Sequence, residues 1–249
     1  SGEEGGKKVT LSWSERLSEP PEQPLEQRFN MQRGPVRQSL VDFIRLAIAG
    51  VLRLFFRVRV ENFERLPKEG PLLICPNHQS YIDAVLIYMF FPRRLIMRTL
   101  FLAFGEIFAR PPLSWLTGVG RIIPTGGADT LTESLKLSAE GLRRDLAVCI
   151  FPEGSRSNDG SIQPPRTGAA ILSMECKAPI VPVLIEGASG TLSPSHPGLH
   201  FCRVRMIVGE PLQPPEKSEP SMKDYQAYAG KWREAVVEMR RQLEEAGNG

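Results

Sequence analysis

Short apolar runs without alternation, spaced by segments of helical period, constrain this chain more than any other feature. Pro71-Leu72-Leu73-Ile74-Cys75, Leu146-Ala147-Val148-Cys149-Ile150 and Ile180 to Ile185 have the pattern of strands covered on both faces, as in parallel sheets. Asp129, a good N-cap, opens a helical run to Arg144 with Leu131, Leu135, Ser138 and Leu142 on one face, and Gly168 to Cys176 reads as another helix. Strand alternating with helix predicts an α/β fold, a single mixed, largely parallel sheet wrapped by helices. Phe201 to Val208 alternates as a half-exposed strand does, and Ser221 caps a helix of about 222–246. Tyr225, Tyr228, Trp232, Val236, Met239 and Leu243 recur there at helical spacing and read as packing surface. At 249 residues and 41% hydrophobic content, the chain suits one such domain with appendages.

Two strand ends carry chemistry. His78 follows the first run in Pro76-Asn77-His78-Gln79-Ser80-Tyr81-Ile82-Asp83, and the apolar stretch Ala84 to Phe91 reads as a helix, so His78 falls in a strand-to-helix turn. On one continuous helix, positions five apart do not face each other. A histidine just outside the first turn can fold back onto an aspartate within it, which would accept the Nδ1 proton and leave Nε2 as a base. Backbone N–H groups at the start of that helix are candidate oxyanion donors. The second run opens into Phe151-Pro152-Glu153-Gly154-Ser155-Arg156-Ser157. Ligands bind at the carboxyl ends of strands in open α/β sheets, and a carboxylate, a glycine, hydroxyls and a guanidinium fit a phosphate or polar headgroup. Arg166, at the entry to the next helix, is a further headgroup candidate.

These motifs, in the order His78 and Asp83, then Glu153-Gly154-Ser155-Arg156, then Ile180-Val181-Pro182-Val183, resemble the glycerolipid acyltransferases of the lysophosphatidate (1-acylglycerol-3-phosphate) type over about residues 57–211. The resemblance implies that His78 is the general base and Asp83 its orienter, and that the loop of Glu153, Gly154, Ser155 and Arg156 binds the acceptor's phosphate. Ser155 stands where the family commonly has threonine and keeps the hydroxyl. The intervening block reads Gly120-Arg121-Ile122-Ile123-Pro124-Thr125-Gly126-Gly127, without the arginine that the family places near its end. Arg121 lies earlier, on an apparent strand, where alternation turns it toward the headgroup or away. A lysophospholipid with a phosphodiester headgroup, or an acceptor lacking phosphate, fits this block as well as lysophosphatidic acid.

Net charge of +3 gives no argument for nucleic acid. From Gln38 to Val58, Asp42, Arg45, Arg53 and Arg57 gather on about a third of a helical wheel, and apolar residues cover the rest. Too interrupted to span a bilayer, this N-terminal amphipathic helix has a wide apolar face with an arginine edge that suits lying in an anionic headgroup layer, or the same face packs on the protein's own core. Ala84 to Pro92 with Arg93 and Arg94, Leu100 to Phe104, and Trp115 form a second apolar patch beside cations. Residues 1–35, rich in Glu, Pro, Gly, Lys and Gln, read as a flexible tail or linker ahead of a domain over 36–249. The stretch has no initiator methionine and no apolar signal segment. Leu11-Ser12-Trp13-Ser14-Glu15-Arg16-Leu17 resembles the linker of proteins that fuse an acyl-activating ligase to an acyltransferase, which implies a fused or associated ligase as partner.

Cys75, Cys149, Cys176 and Cys202 lack metal-ligand spacing and read as reduced thiols, with Cys75 a packing residue and not a nucleophile. His196 and His200 enclose Pro197-Gly198-Leu199, which excludes a helical zinc pair. No metal and no bound cofactor is expected. The expected activity is O-acyl transfer from acyl-CoA or acyl carrier protein to a lysophospholipid hydroxyl, in phospholipid synthesis or remodelling, at the cytoplasmic face of a membrane by a peripheral or monotopic protein. An acyl-thioesterase and a non-catalytic membrane-binding module are the alternatives.

Overall fold

The apolar runs become adjacent strands because each must cover two faces with side chains from other elements. The structure, a computed structural model, describes residues 12–29, 34–104, 121–125, 128–196, 198 and 200–247. In chain order its elements are α1 (Trp13–Ser18), α2 (Leu25–Arg28), α3 (Pro35–Phe56), β1 (Arg59–Glu61), β2 (Leu72–Pro76), α4 (Asp83–Phe90), α5 (Arg93–Ile96) and β3 (Thr99–Phe104). After them come β4 (Ile122–Thr125), α6 (Ala128–Arg143), β5 (Ala147–Cys149), α7 (Gly168–Cys176), β6 (Ile180–Glu186), β7 (Arg205–Val208) and α8 (Met222–Gly247).

The seven strands form one sheet in the order β1-β7-β6-β2-β5-β3-β4. All neighbours run parallel except β6 and β7, so the sheet is mixed and largely parallel, as expected. Side chains alternate between two cores: Leu73 and Cys75 join α6, α7 and α8 on one face, while Leu72 and Ile74 join α3, α4 and α5 on the other. The aromatic stripe of α8 packs as predicted, with Trp232 buried and its Nε1 donating to the Cys75 carbonyl at 2.8 Å.

Three expectations change. The strand at the end of the 201–208 stretch is not half exposed: β7 lies between β1 and β6, with Ile207 in one core and Met206 and Val208 in the other. Leu131 on α6 is 44% exposed, whereas Leu135, Ser138 and Leu142 are buried. Residues 12–29 form a strap across α6 and not a flexible tail. Ser12 and Glu15 make a reciprocal capping box, Leu17, Leu25 and Phe29 are buried, and Arg143 donates to the Leu17 carbonyl at 2.7 Å. Lys136 pairs with Glu19, and Glu133 accepts from the Glu22 N–H. Polar average composition concealed the few apolar anchors, each of which fills a site on the core.

The amphipathic helix presents its apolar face outward, the first of its two expected orientations, but part of its charged edge packs inward. Arg45 is buried and donates to the carbonyls of Tyr88 and Phe91 at the end of α4, Asp42 pairs with Arg93, and Arg53 stands over the Phe90 ring. Orphan carbonyls at a helix carboxyl end attract cations, and this draws the charged edge inward. The apolar face of α3 therefore points out, with Val36, Leu40, Phe43, Leu46, Val51 and Leu54 exposed. Among the described residues no helix is long and apolar enough to cross a membrane. Trp115, from the second apolar patch, lies outside the described residues.

Candidate active site

The carboxyl ends of β2 and β5, neighbours in the sheet, bring both motifs together. Past Pro76 the Asn77 N–H still donates to Val183 of β6, but the Ile185 N–H is accepted by Asn77 Oδ1 at 2.6 Å, while Asn77 Nδ2 donates to the Ile185 carbonyl at 3.0 Å. A side-chain amide thus completes the ladder where the backbone leaves it, and the next residue, His78, turns out of the sheet. The role of Asn77 depends on β6, which sequence spacing does not align with it.

His78 Nδ1 lies 2.8 Å from Asp83 Oδ2. Asp83 is fully buried in the first turn of α4, and the same oxygen accepts the Gln79 and Ser80 N–H groups at 2.7 and 2.8 Å. A buried carboxylate is tolerated where such donors replace water. Because Asp83 can only accept there, the proton belongs on Nδ1, and Nε2 carries the lone pair. Phe151 stacks on the imidazole with centroids 4.1 Å apart. In the turn ahead of α4, the N–H groups of Gln79, Ser80 and Tyr81 are committed to Asp83 and the Leu192 carbonyl, so these three are not free to hold an oxyanion.

Glu153 is the fastening between the two loops. One oxygen accepts the His78 N–H at 2.7 Å and the other the Gln163 N–H at 2.8 Å, and the residue is 4% exposed. Expected to touch the headgroup, it instead faces inward and positions His78. The Ser157 N–H returns a bond to the His78 carbonyl at 2.8 Å. Burial, offset in part by those two N–H bonds, pushes the Glu153 carboxyl up to about 7.

Gly154 has φ +70, which favours glycine, and a Cβ there would meet Arg166 Nε at 2.6 Å and push that side chain aside. The exposed Arg166 lies across the loop, and its own N–H donates to the Pro152 carbonyl. Ser155 is exposed, and Ser157 is buried with its hydroxyl on Asp159. Arg156 lays its guanidinium over the Tyr81 ring, 3.7 Å from the centroid. Arg121 does not join this group: it precedes β4, at the amino end of the sheet, and Nη1 donates to the Met97 carbonyl just before β3. Alternation alone left its direction open; the sheet register resolves it.

Burial pushes the Cys75 and Cys149 thiols up, which opposes a thiolate nucleophile. Among the described residues no group of three or more His, Cys, Asp or Glu is placed to hold a metal ion.

The family model described as Acyltransferase matches residues 57–186, more than half of the chain, and the chain belongs to that family. A chloroplastic 1-acyl-sn-glycerol-3-phosphate acyltransferase of Brassica napus is 28% identical over 163 residues, 64% of this chain and 46% of that protein. The human 1-acyl-sn-glycerol-3-phosphate acyltransferase alpha is 27% identical over 212 residues, 83% of this chain and 72% of that one. The chain spans about half the length of the Brassica napus protein and of a chloroplastic 1-acyl-sn-glycerol-3-phosphate acyltransferase of Arabidopsis thaliana. The crystal structure of the 1-acyl-sn-glycerophosphate acyltransferase of Thermotoga maritima superposes with a TM-score of 0.60 at 22% identity, covering 80% of this chain and 82% of that one. That likeness shows the fold.

Asp83→Asn would remove the carboxylate and, with its NH2 in the place of Oδ2, set donors against Nδ1 and against the Gln79 and Ser80 N–H groups. It is expected to lower kcat roughly 10³- to 10⁴-fold together with the thermal midpoint; a variant within tenfold of the parent would refute Asp83 as the orienter of the base. Glu153 ionises near 4.5 when unfolded and near 7 when folded, so between those values the native state binds more protons and stability falls as pH rises. Urea titrations from pH 4.5 to 7 should show a shallower decline for Glu153→Gln, and parallel curves would contradict the assignment.

Proposed function

We propose that this chain transfers a fatty acyl group from a thioester donor, coenzyme A or acyl carrier protein, to the free hydroxyl of a 1-acyl-glycerol-3-phosphate-like lysophospholipid. This places it in phospholipid synthesis or remodelling. The observation that carries the reading is the 2.8 Å contact of His78 Nδ1 with Asp83 Oδ2, joined by backbone bonds to the loop that presents Arg156. In the proposed reaction Nε2 takes the hydroxyl proton as that oxygen attacks the thioester carbonyl. The C–S bond then breaks, and the imidazolium returns its proton to the leaving thiolate, so no acyl-enzyme is needed. Arg156 and Arg166 grip the acceptor phosphate and hold its hydroxyl within reach of the base.

The likeness to relatives named as 1-acyl-sn-glycerol-3-phosphate acyltransferases supports lysophosphatidate as acceptor. The outward apolar face of α3 supports a membrane surface as the place of work. Beside its end, Arg57 and Arg203 flank a groove with Leu54, Phe55 and Phe201, which adds cations for anionic headgroups. Four free thiols accord with a cytoplasmic leaflet.

With labelled acyl-CoA, acyl carrier protein and a panel of lysolipids, His78→Ala should lose roughly 10³-fold or more in kcat, with Arg156→Ala raising acceptor KM about tenfold. Normal turnover by His78→Ala eliminates the assigned base, and equal thioester hydrolysis with and without acceptor would replace transfer by hydrolysis. Phe43→Ser with Leu54→Ser should abolish sedimentation with phospholipid vesicles; unchanged sedimentation would sink the α3 docking role.

A further inference from the structure

We propose that Tyr81 is the positioning residue for the acceptor-phosphate arginine and thereby sets selectivity for phosphate-bearing acceptors; this rests on the headgroup role given to Arg156 above. The Arg156 guanidinium carbon lies 3.7 Å from the Tyr81 ring centroid, a face-on cation–π contact. Among the described residues Arg156 has no ion pair, and its buried Nε meets no acceptor. Arg93, Arg144, Arg205 and Arg241, by contrast, are each held by a carboxylate.

The difference has a physical consequence. A carboxylate would hold the guanidinium by neutralising it, and an incoming phosphate would have to displace or share that partner. An aromatic face holds the cation through its π-cloud and leaves the Nη N–H groups and the full positive charge for the ligand. Tyr81 is itself fixed: its N–H donates to the Leu192 carbonyl at 2.9 Å, and the preceding Ser80 hydroxyl donates to the Thr191 carbonyl at 2.7 Å. The turn whose Gln79 and Ser80 N–H groups bind Asp83 therefore also presents the ring, so base and phosphate clamp share one rigid frame. The ring is 50% exposed, so packing does not account for it.

The experiment compares Tyr81→Leu, Tyr81→Phe, Arg156→Ala and the double variant Tyr81→Leu with Arg156→Ala, using acyl-CoA with 1-acyl-glycerol-3-phosphate or the uncharged monoacylglycerol. Tyr81→Leu should raise KM for the phosphate acceptor roughly three- to tenfold while donor KM and kcat move less than about twofold. Tyr81→Phe should restore the parent KM, monoacylglycerol use should be unaffected, and Tyr81→Leu should add nothing once Arg156 is alanine. A parent-like KM for Tyr81→Leu beside a raised KM for Arg156→Ala overturns this inference alone, as does an equal effect of Tyr81→Leu in the Arg156→Ala background. An unchanged acceptor KM in Arg156→Ala overturns the headgroup assignment and this inference with it.

Discussion

One buried oxygen organises the site. Asp83 Oδ2 accepts from the His78 ring and from two successive backbone amides, so the turn after β2 closes around a negative charge that water does not reach. The bonds that make the carboxylate tolerable in the interior also fix the turn's backbone and the tautomer of the ring. An imidazole held in this way requires little reorganisation at the moment of proton transfer, the setting in which positioned bases are most effective.

The frame around that turn is built from groups with no chemistry of their own. Asn77 substitutes a side-chain amide for the ladder at the point where β2 leaves β6, and Glu153 bridges the β2 and β5 loops through backbone amides. The raised Glu153 carboxyl shows what this costs, because its charge is buried to satisfy two donors. The glutamate of the loop holds the His78 turn, while Arg156 and Arg166 lie on the other side of the loop. A short motif therefore divides its labour between two sides of one backbone.

Helix α3 turns the usual amphipathic logic inside out. Its charged residues satisfy carbonyls at the end of α4 and a carboxylate–arginine pair, while Ala49 and Phe56 pack on the core and most of its other apolar residues face away from it. Water is a poor partner for such a face, whereas a lipid surface removes its hydration cost. The same helix thus links the packing of α4, which carries Asp83, to an outward apolar face.

Much was legible in the sequence because some signals are local. Unbroken apolar runs require burial on both faces, which was enough for a largely parallel sheet, and a histidine five residues before an aspartate at a strand end allowed the contact that the fold makes. Other decisions belong to partners distant in the chain. Arg121 was ambiguous until the β3–β4 register placed it at the opposite end of the sheet. Tyr81 gained a role only when the β5 loop laid Arg156 upon it, and the sparse anchors Leu17, Leu25 and Phe29 only when α6 offered them a surface. Periodicity and spacing specify what a segment can bury or donate, because those follow from backbone geometry; which neighbour receives it depends on contacts between residues far apart in sequence, and only the folded sheet decides those.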